Sequence, residues 1–336
     1  MPRARATPAR LLDPAEWQAY AERFVAADGR VLDTGNAGVS HTEGQGYGML
    51  LAAAFDDPDR FERLWRWTRD HLAVRDDGLF AWKWDERAVG GPVPDRNSAA
   101  DGDLLIAWAL ARGARRWGDT GYAESARRLA AAVRAHLVRR AGDWTVILPG
   151  QAGFVHHGAT TVNPSYWVFP ALPELAGVDP SPAWAELDQD GRRLLATARF
   201  GPAQLPPDWL ELGPALRPSP RFPRTFGYNA VRVPLYLAWA GGPESDGLLA
   251  PFRKLWAGSA AETPSPPPVV QSEVDLDRPE KRGHPAPAGM VAVAQLTLHQ
   301  LGDPAPAFPA LRGDADYYSA SLLLLAKLAF AERYAR

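Results

Sequence analysis

Residues 57–72 read Asp57-Pro58-Asp59-Arg60-Phe61-Glu62-Arg63-Leu64-Trp65-Arg66-Trp67-Thr68-Arg69-Asp70-His71-Leu72, and this stretch decides the fold class. Asp57 is a good helix N-cap, and Pro58 falls where a helix does not need the missing N–H. Phe61, Leu64, Trp65, Thr68 and Leu72 then recur at i, i+3, i+4, i+7 and i+11, which is one stripe of an α-helix. The device repeats in both directions along the chain. Asp13-Pro14-Ala15-Glu16 has the form of a capping box and leads to Trp17, Tyr20 and Phe24 on one face. Ser181-Pro182 opens a third such helix through Leu187 and Leu194.

Helical patterning continues at 46–55, 103–117, 123–139, 230–240, 248–256, 291–301 and 319–334. Strand signals are few and short, at 79–84 and 144–148. The segment 263–288 is the most Pro-rich and reads as a long surface loop, because helical patterning resumes after it. The expectation is one all-α domain over residues 1–336, with a flexible lead-in of about residues 1–12.

Composition narrows the function classes. Basic and acidic residues nearly cancel, 37 against 39, so no cationic face for nucleic acid is implied. The chain has no cysteine, which excludes disulfides, thiolate metal sites and a cysteine nucleophile. No apolar run approaches the ~18 residues that span a membrane. The first residues carry positive charge but no apolar core of a signal peptide, so an exported protein would have lost its leader here. Thirteen Trp, nine Tyr and twelve Phe are more aromatic residues than a core of this size needs.

Two loops carry the chemistry-bearing residues. Ser40-His41-Thr42-Glu43-Gly44-Gln45-Gly46-Tyr47-Gly48-Met49 sets a lone carboxylate before three glycines, a pattern that lets a ligand approach the backbone. It equally describes a helix start with Glu in its first turn. Asn97-Ser98-Ala99-Ala100-Asp101-Gly102-Asp103 places two carboxylates two apart, either as N-caps or pointing into a polar groove. DGD lacks the rest of a calcium loop, and the adjacent His156 and His157 do not share a face, so no metal is expected. Trp82, Trp84, Tyr166, Trp167, Tyr228, Tyr317 and Tyr318 cluster beside these loops, as flat faces for stacking on sugar rings would.

These stretches, with Asn163–Trp167, Phe226–Trp239 and Asp316–Leu322, follow the order seen in glycoside hydrolase family 8, and the chain resembles that family from about Trp17 to its last helix. Residues 31–80 are particularly similar to endoglucanases encoded with bacterial cellulose synthase. The resemblance implies an (α/α)6 barrel of inner and outer helices with a substrate cleft at one end. It also implies inverting cleavage of β-1,4-glucan without a cofactor, in the periplasm or outside the cell, with the cellulose synthase machinery as a potential partner. Glu43 matches the family's general acid and Asp101 the carboxylate that positions the sugar. Trp82, Tyr166, Trp167 and Tyr318 are expected as stacking or wall residues, with Tyr228 and Arg232 shaping the site of the attacking water.

The chain departs from the family pattern at the general base. It reads Phe226-Gly227-Tyr228-Asn229-Ala230-Val231-Arg232, so Asn229 stands where an Asp is expected. Inversion needs one carboxylic acid to protonate the leaving oxygen and one carboxylate to deprotonate water on the opposite ring face. An amide can orient that water but cannot take its proton. Three accounts fit: a deliberate exchange of Asp for Asn that leaves the chain without its base and traps bound glucan, a natural variant that has lost hydrolysis and kept glucan binding, or a base from elsewhere, with Glu273, Asp275 and Asp277 as the candidates in the Pro-rich loop.

Overall fold

A computed structural model describes residues 12–156, 158–261, 270–278 and 283–334. Its described helices are α1 (Pro14–Phe24), α2 (Thr42–Ala54), α3 (Pro58–Leu72), α4 (Ala100–Trp117), α5 (Thr120–His136), α6 (Leu172–Val178), α7 (Pro182–Thr197), α8 (Arg232–Ala240), α9 (Pro243–Ala261), α10 (Ala288–Leu298) and α11 (Tyr317–Arg333). The helix starts obey their caps: Asp13 accepts from Ala15 N–H, Asp57 from Arg60 N–H and Ser181 from Ala183 N–H. The stripe of α3 read from the sequence is the face it buries. Glu16 does not close a capping box; its carboxylate reaches across to Lys327 Nζ on α11, 2.7 Å away, and to Leu311 N–H.

The helices divide into two layers. Helices α3, α5 and α7 bury one side only, as amphipathic helices do. Helices α2, α4, α8 and α11 are buried almost all round; Leu104–Leu110 and Ser319–Phe330 contain no exposed residue. Helix α11 packs on α2, α8 and α10, and α4 on α2, α5 and α6, so the buried helices lie together inside the amphipathic ones. Tyr20 Oη and Ser321 Oγ, 3.0 Å apart, join α1 to α11 across nearly the whole chain. This is the (α/α)6 barrel. Leu12, placed in the flexible lead-in by the sequence, packs against the core; residues 1–11 lie outside the described part.

Several helices begin earlier than their apolar periodicity does. Helix α2 starts at Thr42 and α4 at Ala100, so Glu43 and Asp101 both occupy first helical turns and neither sits in a loop. The glycines of α2 serve packing, not ligand approach: a Cβ on Gly46 would lie 2.5 Å from Leu105 Cβ. At the crossing of the two N-termini, a Cβ on Gly102 would lie 2.0 Å from Thr42 Oγ1 and 2.8 Å from Glu43 N. Only glycine lets the two helices bring their carboxylates this close together.

The strands are short and lie at the helix ends. β1 (Ser40–His41) pairs antiparallel with β2 (Lys83–Trp84), so only the end of the expected 79–84 strand forms. β3 (Val138–Ala141) and β4 (Trp144–Ile147) make a hairpin. β5 (Val155–His156), β6 (Ala159–Val162), β7 (Leu210–Leu212) and β8 (Leu216–Pro218) form a four-stranded sheet that periodicity did not reveal. β9 (Thr225–Phe226) pairs with β10 (Val274–Asp275), which ties the described part of the Pro-rich loop beside Gly227–Asn229; residues 263–269 and 279–282 of that loop lie outside the described part.

Candidate active site

Two helix N-termini and one turn converge on a single guanidinium. Arg232, the first residue of α8, has a side chain only 3 % exposed. Its Nη1 donates to Glu43 Oε2 and, at 2.9 Å, to Asp101 Oδ2. Its Nη2 donates at 3.0 Å to Asn229 Oδ1. The acid candidate, the positioning candidate and the expected base position are therefore one cluster. Glu43, Asn229, Arg232, Tyr228 and Tyr318 line a cavity of about 350 Å³, together with Asp33 and Asp316.

The environment sets the charges. Burial is the largest influence on Asp101 and, with the field of Glu43, lifts its carboxyl to about 6 although Arg232 pulls the other way. Asp103, two residues on, is fully buried; its Oδ1 accepts from Phe80 N–H at 3.1 Å, and its Oδ2 has no hydrogen-bond partner among the described residues. Burial pushes its carboxyl well above the usual range; Asp103 holds the Phe80 backbone and does not line the cavity that holds Glu43. Neither Asp caps α4, whose N-cap is Ala99.

Asn229 is held as a carboxylate would be. Its Oδ1 accepts from Arg232 Nη2 and, at 2.9 Å, from Asn163 Nδ2. The turn that carries it is pinned from behind by Asp208, whose Oδ1 accepts from Gly227 N–H at 3.1 Å and Ala230 N–H at 2.6 Å. Burial raises the Asp208 carboxyl above its ordinary value, against those backbone hydrogen bonds. Tyr318 Oη donates to the Tyr228 carbonyl, and the two rings sit 6.1 Å apart.

The aromatic expectations divide. The Tyr166 ring lies beneath the Arg232 guanidinium, 5.6 Å from it. Trp82 is half-buried beside the start of α2, its Nε1 donating to Asp95 at 2.8 Å while its carbonyl accepts from Thr42 N–H. Trp167 is not a cleft wall. It is 2 % exposed, donates Nε1–H to the Leu187 carbonyl and lies against Gly191 of α7, so it belongs to the core.

Of the loop carboxylates, Asp277 is exposed and paired with Arg224, and Asp275 accepts the N–H groups of Asp277 and Arg278 in its own turn. Glu273 lies beside Gly227, with its Oε1 3.3 Å from where a Cβ there would stand. None of the three lines the cavity that holds Glu43.

Asn163, Asp208, and the pair Asp33 and His41 were not singled out from the sequence as site residues. Asn163 lay within a stretch that was; Asp208 and Asp33 had no local pattern to mark them. Phe154, Trp209 and Phe222 stand in no local pattern that marks them as site residues. They stack successively, 5.9 and 4.2 Å apart, and Trp209 meets Tyr166 edge-on at 6.3 Å, so an aromatic row leads away from the guanidinium.

The chain is similar to known proteins over most of its length. A "Probable endoglucanase" of Novacetimonas hansenii is 38% identical over 321 residues, covering 94% of this chain and 90% of the relative. An "Endoglucanase" of Cellulomonas uda is 38% identical over 284 residues, covering 84% and 77%. The solved structure of endo-β-1,4-glucanase CMCax from Acetobacter xylinum superposes with a TM-score of 0.88 at 38% identity, over 97% of this chain and 99% of that one. Residues 4–332 match the family described as Glycosyl hydrolases family 8, and the chain belongs to that family.

Proposed function

We propose that the chain is an endo-acting β-1,4-glucan hydrolase whose own residues supply the acid but not the base. Glu43 protonates the glycosidic oxygen as the C1–O bond breaks, and Asp101 holds the sugar at the cleavage point. Water attacks C1 from the opposite ring face, and its proton must go to a carboxylate. Asn229 occupies that place and can only orient the water. The observation that carries this reading is the Arg232 cluster, which gathers Glu43, Asp101 and Asn229 around one guanidinium. Both proton transfers would be made by side chains, so no cofactor is called for. Polymeric β-glucan is made by extrusion through a membrane, so the site of action would be the periplasm or the exterior, beside cellulose synthesis.

The amide also favours a second reading, in which the cleft binds cello-oligosaccharides without releasing reducing ends. Glu273 is the loop carboxylate nearest the Asn229 turn, and it is the one whose removal tests rescue by another base. Turnover of carboxymethyl-cellulose by the chain, by Asn229→Asp and by Glu273→Gln separates the three. A base-deficient hydrolase gains at least about a hundredfold with Asp at 229, the low end for a general base. A chain already active, unchanged by Asn229→Asp and silenced by Glu273→Gln, sinks the base-deficient account. No turnover in any form, with oligosaccharide affinity retained, leaves binding alone.

A further inference from the structure

Helix α2 is capped by an imidazole. Gly44 N–H donates to His41 Nδ1 at 3.1 Å, one residue after Glu43. The other ring nitrogen, Nε2, lies 3.2 Å from Asp33 Oδ2, while Asp33 Oδ1 accepts from Gly35 N–H at 3.0 Å. A nitrogen that accepts must be unprotonated, and a nitrogen facing a carboxylate must carry hydrogen. The geometry thus fixes the neutral tautomer with its proton on Nε2. The ring is wedged edge-on against Tyr317 at 5.6 Å, so it has little freedom to turn.

We propose that His41, oriented by Asp33, is the positioning residue for Glu43: the neutral ring locks the first turn of α2, and a second proton on it releases that turn. The inference rests on the reading of Glu43 as proton donor. Protonated at Nδ1, the ring would present N–H to the N–H of Gly44, and two donors cannot share the contact. The first turn would then have to open or rotate, carrying the Glu43 carboxyl with it. Displacement of a reacting group by about 1 Å can cost on the order of a hundredfold in rate.

The titratable and charged groups around the ring are Asp33 in the turn before it, Glu43 on the helix it caps, Asp101 on α4, Tyr317 on α11 and Lys83 opposite it on β2. Burial opposes a charged ring, but the Asp33 hydrogen bond and the fields of Glu43, Asp33 and Asp101 outweigh it and raise the imidazole above its ordinary 6.5. The sign follows. The capping form exists above that raised value and is lost as the pH falls through it, so the rate declines on the acid side through His41.

Two measurements test this. Nitrogen-resolved NMR of the imidazoles, with His41→Asn used to assign the signals, should find the Nε2–H tautomer at high pH, with Nδ1 unprotonated. Turnover against pH is measured for the chain, His41→Ala and His41→Asn, and again on an Asn229→Asp background so that a missing base cannot hide a change at the acid. His41→Ala should lower kcat about tenfold with little change in KM. Asn caps helices well and cannot take a proton, so His41→Asn should recover most of that loss and move the acid limb to lower pH. The inference is overturned if the ring carries protons on both nitrogens throughout the active range, or if His41→Ala and the parent share one kcat profile. Glu43→Gln on the same background separates failures: if it leaves turnover intact, the role of Glu43 is wrong, whatever the ring does.

Discussion

The start of α2 and the turn at 227–230 face one another across Arg232, and they are built alike. Each is fixed from behind by a carboxylate that binds backbone or ring N–H, Asp33 through His41 on one side and Asp208 on the other. Each presents one side-chain oxygen to the guanidinium. They differ in what stands beside that oxygen: a second carboxylate oxygen on Glu43, an NH2 group on Asn229. The comparison teaches that the contacts around position 229 would accept Asp as well as Asn, because they bind the one oxygen that the two side chains share.

The largest effect expected of this asymmetry is at Glu43. On the Asn229→Asp background, Glu43→Gln should lower turnover by about 10²–10⁴-fold, the worth of a positioned acid, with oligosaccharide affinity in calorimetry nearly intact. Loss of affinity in proportion to rate would make Glu43 a binding group only. Next is Asn229→Asp itself, with a gain of at least about a hundredfold in reducing ends released. Both sides of the cleft then work as a pair, and a smaller gain means that the turn is not where water is activated.

The third effect concerns the scaffold. Asp208→Ala leaves the buried N–H groups of Gly227 and Ala230 without their acceptor, at roughly 1–3 kcal/mol for a buried donor left unmade. Urea unfolding should show that loss, and an unchanged midpoint would mean that the turn holds without Asp208. The smallest effect is electrostatic. The Asp101 carboxyl lies at about 6 in the folded chain against an ordinary 3.8, a raised value, so its contribution to stability is full below about 4 and lost as the pH rises through 6. The stability of the chain relative to Asp101→Asn should therefore fall by on the order of 1–2 kcal/mol between pH 4 and pH 7. A flat difference would show that Arg232 fully offsets the burial of Asp101.

The sequence by itself determined the helical class, the starts of α1, α3 and α7, and the two carboxylates at the heart of the site. These are local facts: a cap and a stripe are written within a dozen residues, and Glu43 and Asp101 stand in long ordered motifs. It also showed the amide at 229. The all-round burial of α2, α4 and α11 erased the polar face that would have marked their first turns, which is why those starts were read late. Only the tertiary structure decided that Trp167 lies in the core while Tyr166 beside it lies under Arg232, since neighbours in a turn point to opposite sides. It alone brought Asn163, Asp208, His41 and Asp33 into the site, because their hydrogen bonds join segments whose meeting is set by how the barrel closes. A residue's chemistry is in its name, but its partner is chosen by packing.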